Sequence, residues 1–410
     1  MTPLEIVLLV AMALCAITLT MTVINLGVYR RPMSDVKAGI SAVSSVAAVP
    51  GLNIPHPTSD IPHPTSPRIT VCVPARNEES NLEACVRSIL ASTERDIEVL
   101  VYDDQSTDDT PSILARLIAS DPRVRAAQVT PLPSGWNGKQ HACWRMSEQA
   151  RGQWLCFTDA DVRFEPACLA DALAFAQAQK ADLVSTFPRQ ITGSLAERLA
   201  VPMIFFILFS YLPMPRMRTS RDPAASAACG QFILVSRAAY DKAGGHQAFK
   251  NSMHDGVKMP REVRKAGFHT DLFDGTHLLS VRMYRGLAQT WRGFAKNAFE
   301  GLGSIGLLMF ITAVHLLAHV LPWIIVPWAL LGKLGPAPLP SPTDLAALFA
   351  VSCVAMAVLQ RLLLARRFEQ GLTPVLLHPL GVLMMTAIQW HSLYLARTGQ
   401  RAWRGRVATV

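Results

Sequence analysis

Charge is scarce in this sequence. Only 17% of the 410 residues are Asp, Glu, Lys or Arg, and half are hydrophobic. The deficit is concentrated. Leu302 to Leu331 contains none of the four charged types, and neither do Leu345 to Gln360 or Pro374 to Ala396. Leu4 to Val28 carries only Glu5. A stretch of about 20 such residues is long enough to cross a bilayer, so a wholly soluble chain is excluded. The N-terminal stretch lacks a basic region before it and is long for a signal sequence, which predicts a retained anchor. No basic run interleaved with aromatics occurs, so nucleic acid is not expected as a partner. No CxxC pair occurs among the eight cysteines. They fall in predicted strands and helices as small apolar groups, and a reducing compartment accounts for them.

What is present divides the chain into five parts. Residues 1–31 are the anchor, 32–67 a linker, 68–300 a globular domain, 301–397 a membrane bundle and 398–410 a basic tail. Arg30 and Arg31 directly follow the anchor and predict that its C-terminal end is cytoplasmic. The net charge of +9 fits a chain held against anionic lipid. The linker is rich in Ala, Ser, Pro and Val and contains IPHPTSD followed by IPHPTSP; its proline density predicts an extended spacer.

From Arg68 apolar strand runs alternate with helical patterns: RITVCVP, a helix over 77–92, IEVLVYDD, a helix over 108–120, VRAAQV, a helix over 140–150, and WLCFTDAD. Alternation of this kind predicts an α/β fold with a mostly parallel sheet and helices on both faces. Ligands of such sheets gather at the carboxyl ends of the strands. There lie Asn77 and Glu78, Asp103 and Asp104, Asp159 and Asp161. Carboxylates at a buried strand end need positive charge beside them. GWNGKQHA places Lys139 in a glycine-rich turn entering a helix, a natural phosphate contact. A divalent metal held by aspartates would bridge to the same phosphates. The pattern describes a site for a diphosphate leaving group.

These residues resemble a known family. VPARNEE at 73–79, DDQSTDDT at 103–110, GK at 138–139, DAD at 159–161 and HDG at 254–256 are similar, in order and spacing, to the motifs of membrane-anchored family 2 glycosyltransferases of the GT-A fold. The resemblance implies that Pro74, Arg76 and Glu78 line a nucleotide pocket. Asp103 or Asp104 would bond the base, and Lys139 the nucleotide or diphosphate. Asp159 and Asp161 would hold Mg²⁺ or Mn²⁺, with Asp159 also facing the donor. Asp255 would act as catalytic base in an inverting, single displacement. RMYRGLAQTWRGFAKN, 282–297, departs from the Q/RxxRW motif of processive relatives. It resembles the carotenoid- and hopanoid-associated lipid glycosyltransferases instead. That implies acceptor or interface roles for Arg282, Tyr284, Arg285, Trp291 and Arg292. The function implied is sugar transfer from a UDP- or GDP-sugar to an isoprenoid-type membrane lipid, with the catalytic domain on the cytoplasmic face of a bacterial inner membrane. A polyprenyl-phosphate sugar synthase, or a non-catalytic sugar-nucleotide or lipid-binding protein, are the alternatives.

GLGSIG at 301–306 matches GxGxxG but opens an apolar span, so a dinucleotide site is not expected. His315 and His319, four apart on a span, are expected to pack in the bundle. MIFFILFSYLPMP, 203–215, is too short to span, and is expected to lie at the membrane surface with 282–297. Three C-terminal spans would put the tail arginines opposite Arg366 and Arg367. Either one segment re-enters the membrane or 302–331 forms a hairpin near Pro322.

Overall fold

The computed structural model describes residues 1–32, 68–334 and 342–400, together with paired strands Ala402–Trp403 and Arg406–Val407. The repeat-containing linker and most of the basic tail lie outside the described residues.

Strand β1 (Ile69–Ala75) is buried along its whole length, as a central strand covered on both faces must be. It pairs in parallel with β2 (Ile97–Asp103) on one side and β4 (Trp154–Phe157) on the other. Short β3 (Val124–Ala126) extends the sheet beyond β2. Strand β5 (Val162–Phe164) begins directly after the DAD and leaves this sheet. Strands β6 (Leu183–Ser185), β8 (Ile233–Ser236) and β9 (Thr270–Leu272) complete seven strands in the order β3-β2-β1-β4-β8-β6-β9. Only β8 runs against its neighbours. Strand β5 pairs instead with β10 (Leu279–Val281), which also carries β7 (Arg189–Gln190). Val162, Val281 and Gln190 share one rung of this smaller sheet.

The helix expected from Asn77 starts later, at Leu82, and buries Leu82, Cys85, Val86 and Ile89 against the sheet. The intervening residues are taken up by a loop. Asn77 has a φ of 54°, and its carboxamide oxygen accepts from Thr107 N at 2.9 Å. An Asn tolerates that backbone because its side chain can bond locally.

Three helices are long and apolar enough to cross a membrane: Pro3–Val28, Ile305–Leu331 and Asp344–Arg367. The second has a break at Val320 between Ile305–His319 and Leu321–Leu334. It does not fold back near Pro322: Ala318 clusters with Ala11 and Cys15, and Ile325 with Leu8, so it follows the first helix outward. Thr343 Oγ1 donates to Glu5 Oε1 at 2.7 Å at one end of the bundle. At the other end buried Asp274 meets Arg31 at 3.6 Å and Arg367. Pro3–Val28 and Asp344–Arg367 are therefore parallel, with both C-terminal ends on the globular domain. The last helix, His378–Arg397, does not cross away from it. Gly381 lies against Leu199 O, and Ser392 Oγ accepts from Phe299 N at 3.0 Å. That resolves the conflict over the arginines: Arg366, Arg367 and Arg397 all stay on the globular side.

Met203–Tyr211 forms a helix buried among Tyr29, Leu364, Phe368 and Val382. Asn25 clasps its end, donating to Phe209 O and Leu212 O at 2.8 and 2.7 Å.

Candidate active site

The loops after β1 and β2 are stitched together. Glu78 N donates to Thr110 Oγ1 at 2.8 Å, Glu79 N to Asp108 Oδ2 at 3.1 Å, and Asp109 N to Glu79 Oε2 at 3.2 Å. Asp103 Oδ1 accepts from Ser106 N and Oγ at 3.1 and 2.5 Å. Buried Asp104 faces Arg76, whose Nη1 stands 3.7 Å from its Oδ2. Pro74 is buried on β1, beside Tyr102. Pro74, Arg76, Glu78, Asp103 and Asp104 thus form one rigid rim at the strand ends.

Lys139 is presented by the first turn of helix Gly138–Gln149. Asn137 caps that helix, its Oδ1 accepting from Lys139 N at 2.9 Å, and Asn137 N donates to Lys250 O at 2.7 Å. The turn is thereby tied to the segment that carries Asp255. Lys139 Nζ lies 2.6 Å from Asp159 Oδ1 and 2.8 Å from Asp255 Oδ2. Burial alone would lower the ammonium pKa, but Asp159 and Asp255 hold it well above its ordinary value. Burial likewise pushes the Asp255 carboxyl up, yet Lys139, with smaller help from His246 and His254, brings it down to about 2. This is the positive charge that the DAD required.

Asp255 opens helix Asp255–Lys265 and packs under glycine. A Cβ on Gly230 would fall 2.2 Å from Asp255 Oδ1, and one on Gly256 would fall 2.4 Å from Ala228 O. Gly256 N donates to Asp255 Oδ1 at 2.8 Å. His246 and His254 are near enough to act on the Asp255 charge; burial holds both below the ordinary histidine value, His246 at about 3. The sequence reading missed Gly230, His246 and His254. Only the HDG motif flagged one of them, and Gly230 has no local signature.

Tyr284 belongs to the same neighbourhood. Its hydroxyl pKa is raised by burial and then by the charges of Asp161 and Asp159. Its ring lies over Gly293, where a Cβ would fall 2.1 Å away, and meets Phe294 edge-on at 5.2 Å. The other residues of 282–297 point elsewhere. Arg282 Nε stands 3.3 Å from buried Glu197, which also accepts from Gly193 N and Gly286 N at 2.7 Å each. Trp291 Nε1 donates to His391 Nδ1 at 2.9 Å, on the last helix. Arg285 and Arg292 are exposed.

No group of three or more His, Cys, Asp or Glu able to hold a metal exists among the described residues. Asp159 and Asp161 still suit Mg²⁺ or Mn²⁺. These hard cations are bound through one or two carboxylates, with waters and substrate phosphates filling the remaining positions. Lys139 resting on Asp159 shows that this carboxylate cluster holds a cation. His315 and His319 are buried, His319 lying 3.2 Å from His378. Gly303, inside GLGSIG, ends helix Ala298–Leu302 with a φ of 79°.

A mostly parallel sheet thus carries this aspartate-lysine cluster at its carboxyl edge. Residues 70–244 match the glycosyl transferase family 2 model. The chain is similar to two proteins named 4,4'-diaponeurosporenoate glycosyltransferase. That of Staphylococcus haemolyticus (strain JCSC1435) is 26% identical over 63% of this chain and 66% of its own length. That of Staphylococcus aureus (strain MRSA252) is 25% identical over 62% and 65%. The match thus spans just under two thirds of these relatives. The fold also superposes on a mannosyltransferase from Pyrobaculum calidifontis in complex with GDP-Man and Mn²⁺. Its TM-score is 0.50 at 19% identity, covering 93% of this chain and 99% of that one.

Proposed function

We propose that the protein transfers a sugar from a UDP- or GDP-sugar to a lipid acceptor at the membrane surface. The observation that carries this reading is Lys139 bridging Asp159 and Asp255 at the strand ends, on a domain clamped to membrane-spanning helices. The rim formed by Pro74, Arg76, Glu78 and Asp103 or Asp104 binds the nucleoside. Lys139 meets the diphosphate. Asp159 and Asp161 hold Mg²⁺ or Mn²⁺, which when bound offsets the charge of the leaving group.

In the free site Asp255 is a weak base, because Lys139 holds its proton affinity low. A diphosphate that draws Lys139 away leaves Asp255 buried without its cation, and burial then raises its pKa. Donor binding would in this way switch on the base that takes the acceptor proton. The arginines at 30, 31, 366, 367 and 397 gather on the domain's side of the bundle, which supports a cytoplasmic catalytic domain. The staphylococcal relatives support a bacterial setting, and the three candidate spans support a membrane location there.

Asp255→Asn tests the reaction class. With a hydroxyl acceptor, turnover falls about 10²- to 10⁴-fold while donor binding persists. The relatives' name denotes a carboxylate acceptor, and the ionised Asp255–Lys139 pair is compatible with one, since an anionic oxygen needs no base. Near-normal turnover of Asp255→Asn with a lipid acid or lipid phosphate would establish that second reading and remove Asp255 from the base role.

A further inference from the structure

We propose that an open cavity beside the small sheet binds the phosphate of an anionic membrane phospholipid. The cavity, of about 610 Å³, lies between β7 with helix Leu195–Ala200 and the turn that follows span Asp344–Arg367. Its polar lining is Arg189, Gln190, Arg198, Glu369 and Gln370. Its floor is fixed by fully buried Arg361, which donates to Pro374 O and Pro202 O at 3.3 Å each.

Two features call for a ligand. Both side-chain amide atoms of Gln370 are buried without a hydrogen-bond partner, an arrangement that costs free energy unless something else supplies the bonds. The guanidinium of Arg198 has no ion pair or hydrogen bond among the described residues, and Arg189 is held only by exposed Glu369 at 3.2 Å. Two guanidiniums and an amide match the donor requirement of a phosphate. The surroundings select a lipid as its carrier. Exposed Ile191 and Leu372 are part of the lining, and exposed Leu195 and Leu376 sit on the short helices that carry Arg198 and Pro374, just beyond the end of a membrane-spanning helix. Such a rim is unfavourable in water and suits acyl chains.

Lys139, Asp159, Asp161 and Asp255 are not among the residues that line this cavity. Gln190 shares its rung with Val281 and Val162, so it lies two strand spacings, about 10 Å, from the strand that follows Asp161. A lipid held there would seat the domain on the bilayer.

The full chain in nanodiscs of phosphatidylcholine, with or without phosphatidylglycerol, tests this by native mass spectrometry. Arg198→Gln should lower retained phosphatidylglycerol about fivefold, the effect of one basic residue at a lipid surface. Glu369→Gln should raise it by freeing Arg189. UDP binding should be unchanged in both. Wild-type retention in both Arg198→Gln and Arg189→Gln, or a loss in Glu369→Gln, would overturn the site. If inorganic phosphate stabilises phosphatidylcholine discs as much as phosphatidylglycerol does, the ligand is a soluble phosphate and the lipid assignment falls.

Discussion

The proposed donor side and the proposed acceptor side of this site are built by different means. On the donor side every proposed contact sits at a strand end or in the first turn of a helix, and the loops are locked by side-chain bonds between neighbouring βα units. On the 282–297 side the groups are held by distant partners: Arg282 by Glu197, Trp291 by His391. Only Tyr284 approaches the aspartates. The donor site is a product of sheet topology, whereas the other side is a product of how the membrane helices dock. Substitutions on the first should damage donor binding and chemistry without damaging the fold, and those on the second should cost stability or acceptor binding while donor binding stays intact.

The largest effect expected is on the donor side. Asp161→Ala should abolish metal-dependent nucleotide binding, read by titration calorimetry with UDP or GDP and Mn²⁺, while the melting temperature holds. Retained metal-dependent binding would remove Asp161 from the metal site. Lys139→Gln should weaken donor binding about 10- to 100-fold, as loss of a charge-assisted contact does. It should also change the pH profile. With Lys139 present Asp255 protonates only near pH 2. Without it burial dominates, the pKa rises, and kcat/KM should fall in mildly acidic buffer where the wild type stays flat. An unmoved acid limb would mean that Lys139 does not govern Asp255.

Glu197→Ala should expose the contrast from the other side. It should cost about 2–3 kcal/mol of stability through lost charge-assisted bonds, with donor affinity intact in the folded fraction. Burial raises the Glu197 pKa, but the bonds from Gly286, Gly193 and Ser194 bring it from 4.5 to about 2. Its folded pKa is below its unfolded one, so its contribution is present above pH 4.5 and is lost as pH falls toward 2. Wild-type melting temperature should drop across that window more steeply than that of the variant. The smallest effect is expected for Trp291→Ala: acceptor KM up about 2- to 10-fold with donor affinity unchanged. Loss of nucleotide binding there would erase the distinction between the two sides.

The same contrast explains what could be read from the sequence. The order of strands and helices, the DAD, Lys139 and Asp255 follow from local pattern, and the structure brings Lys139, Asp159 and Asp255 together. The start of the first domain helix was misplaced because Asn77 and Glu78 bond across to the β2 loop, a partner 30 residues away. The antiparallel strand β8 has no local mark, since its direction is set by its neighbours. The route of the last helix was undecidable from hydropathy alone. Contacts such as Ser392 to Phe299 decide it, and no periodicity encodes them.

The parallel pairing of Pro3–Val28 with Asp344–Arg367 has a consequence for biosynthesis. The first helix leaves the ribosome about 316 residues before its partner begins. At ordinary elongation speed that is a delay of roughly 15–60 s. During it, the α/β domain can fold on a single tether, while Glu5 and Thr22 sit in or near lipid without Thr343 and Gln360 to receive them. The anchor is thus a provisional insertion, and the buried polar face it carries is completed only when the end of the chain arrives.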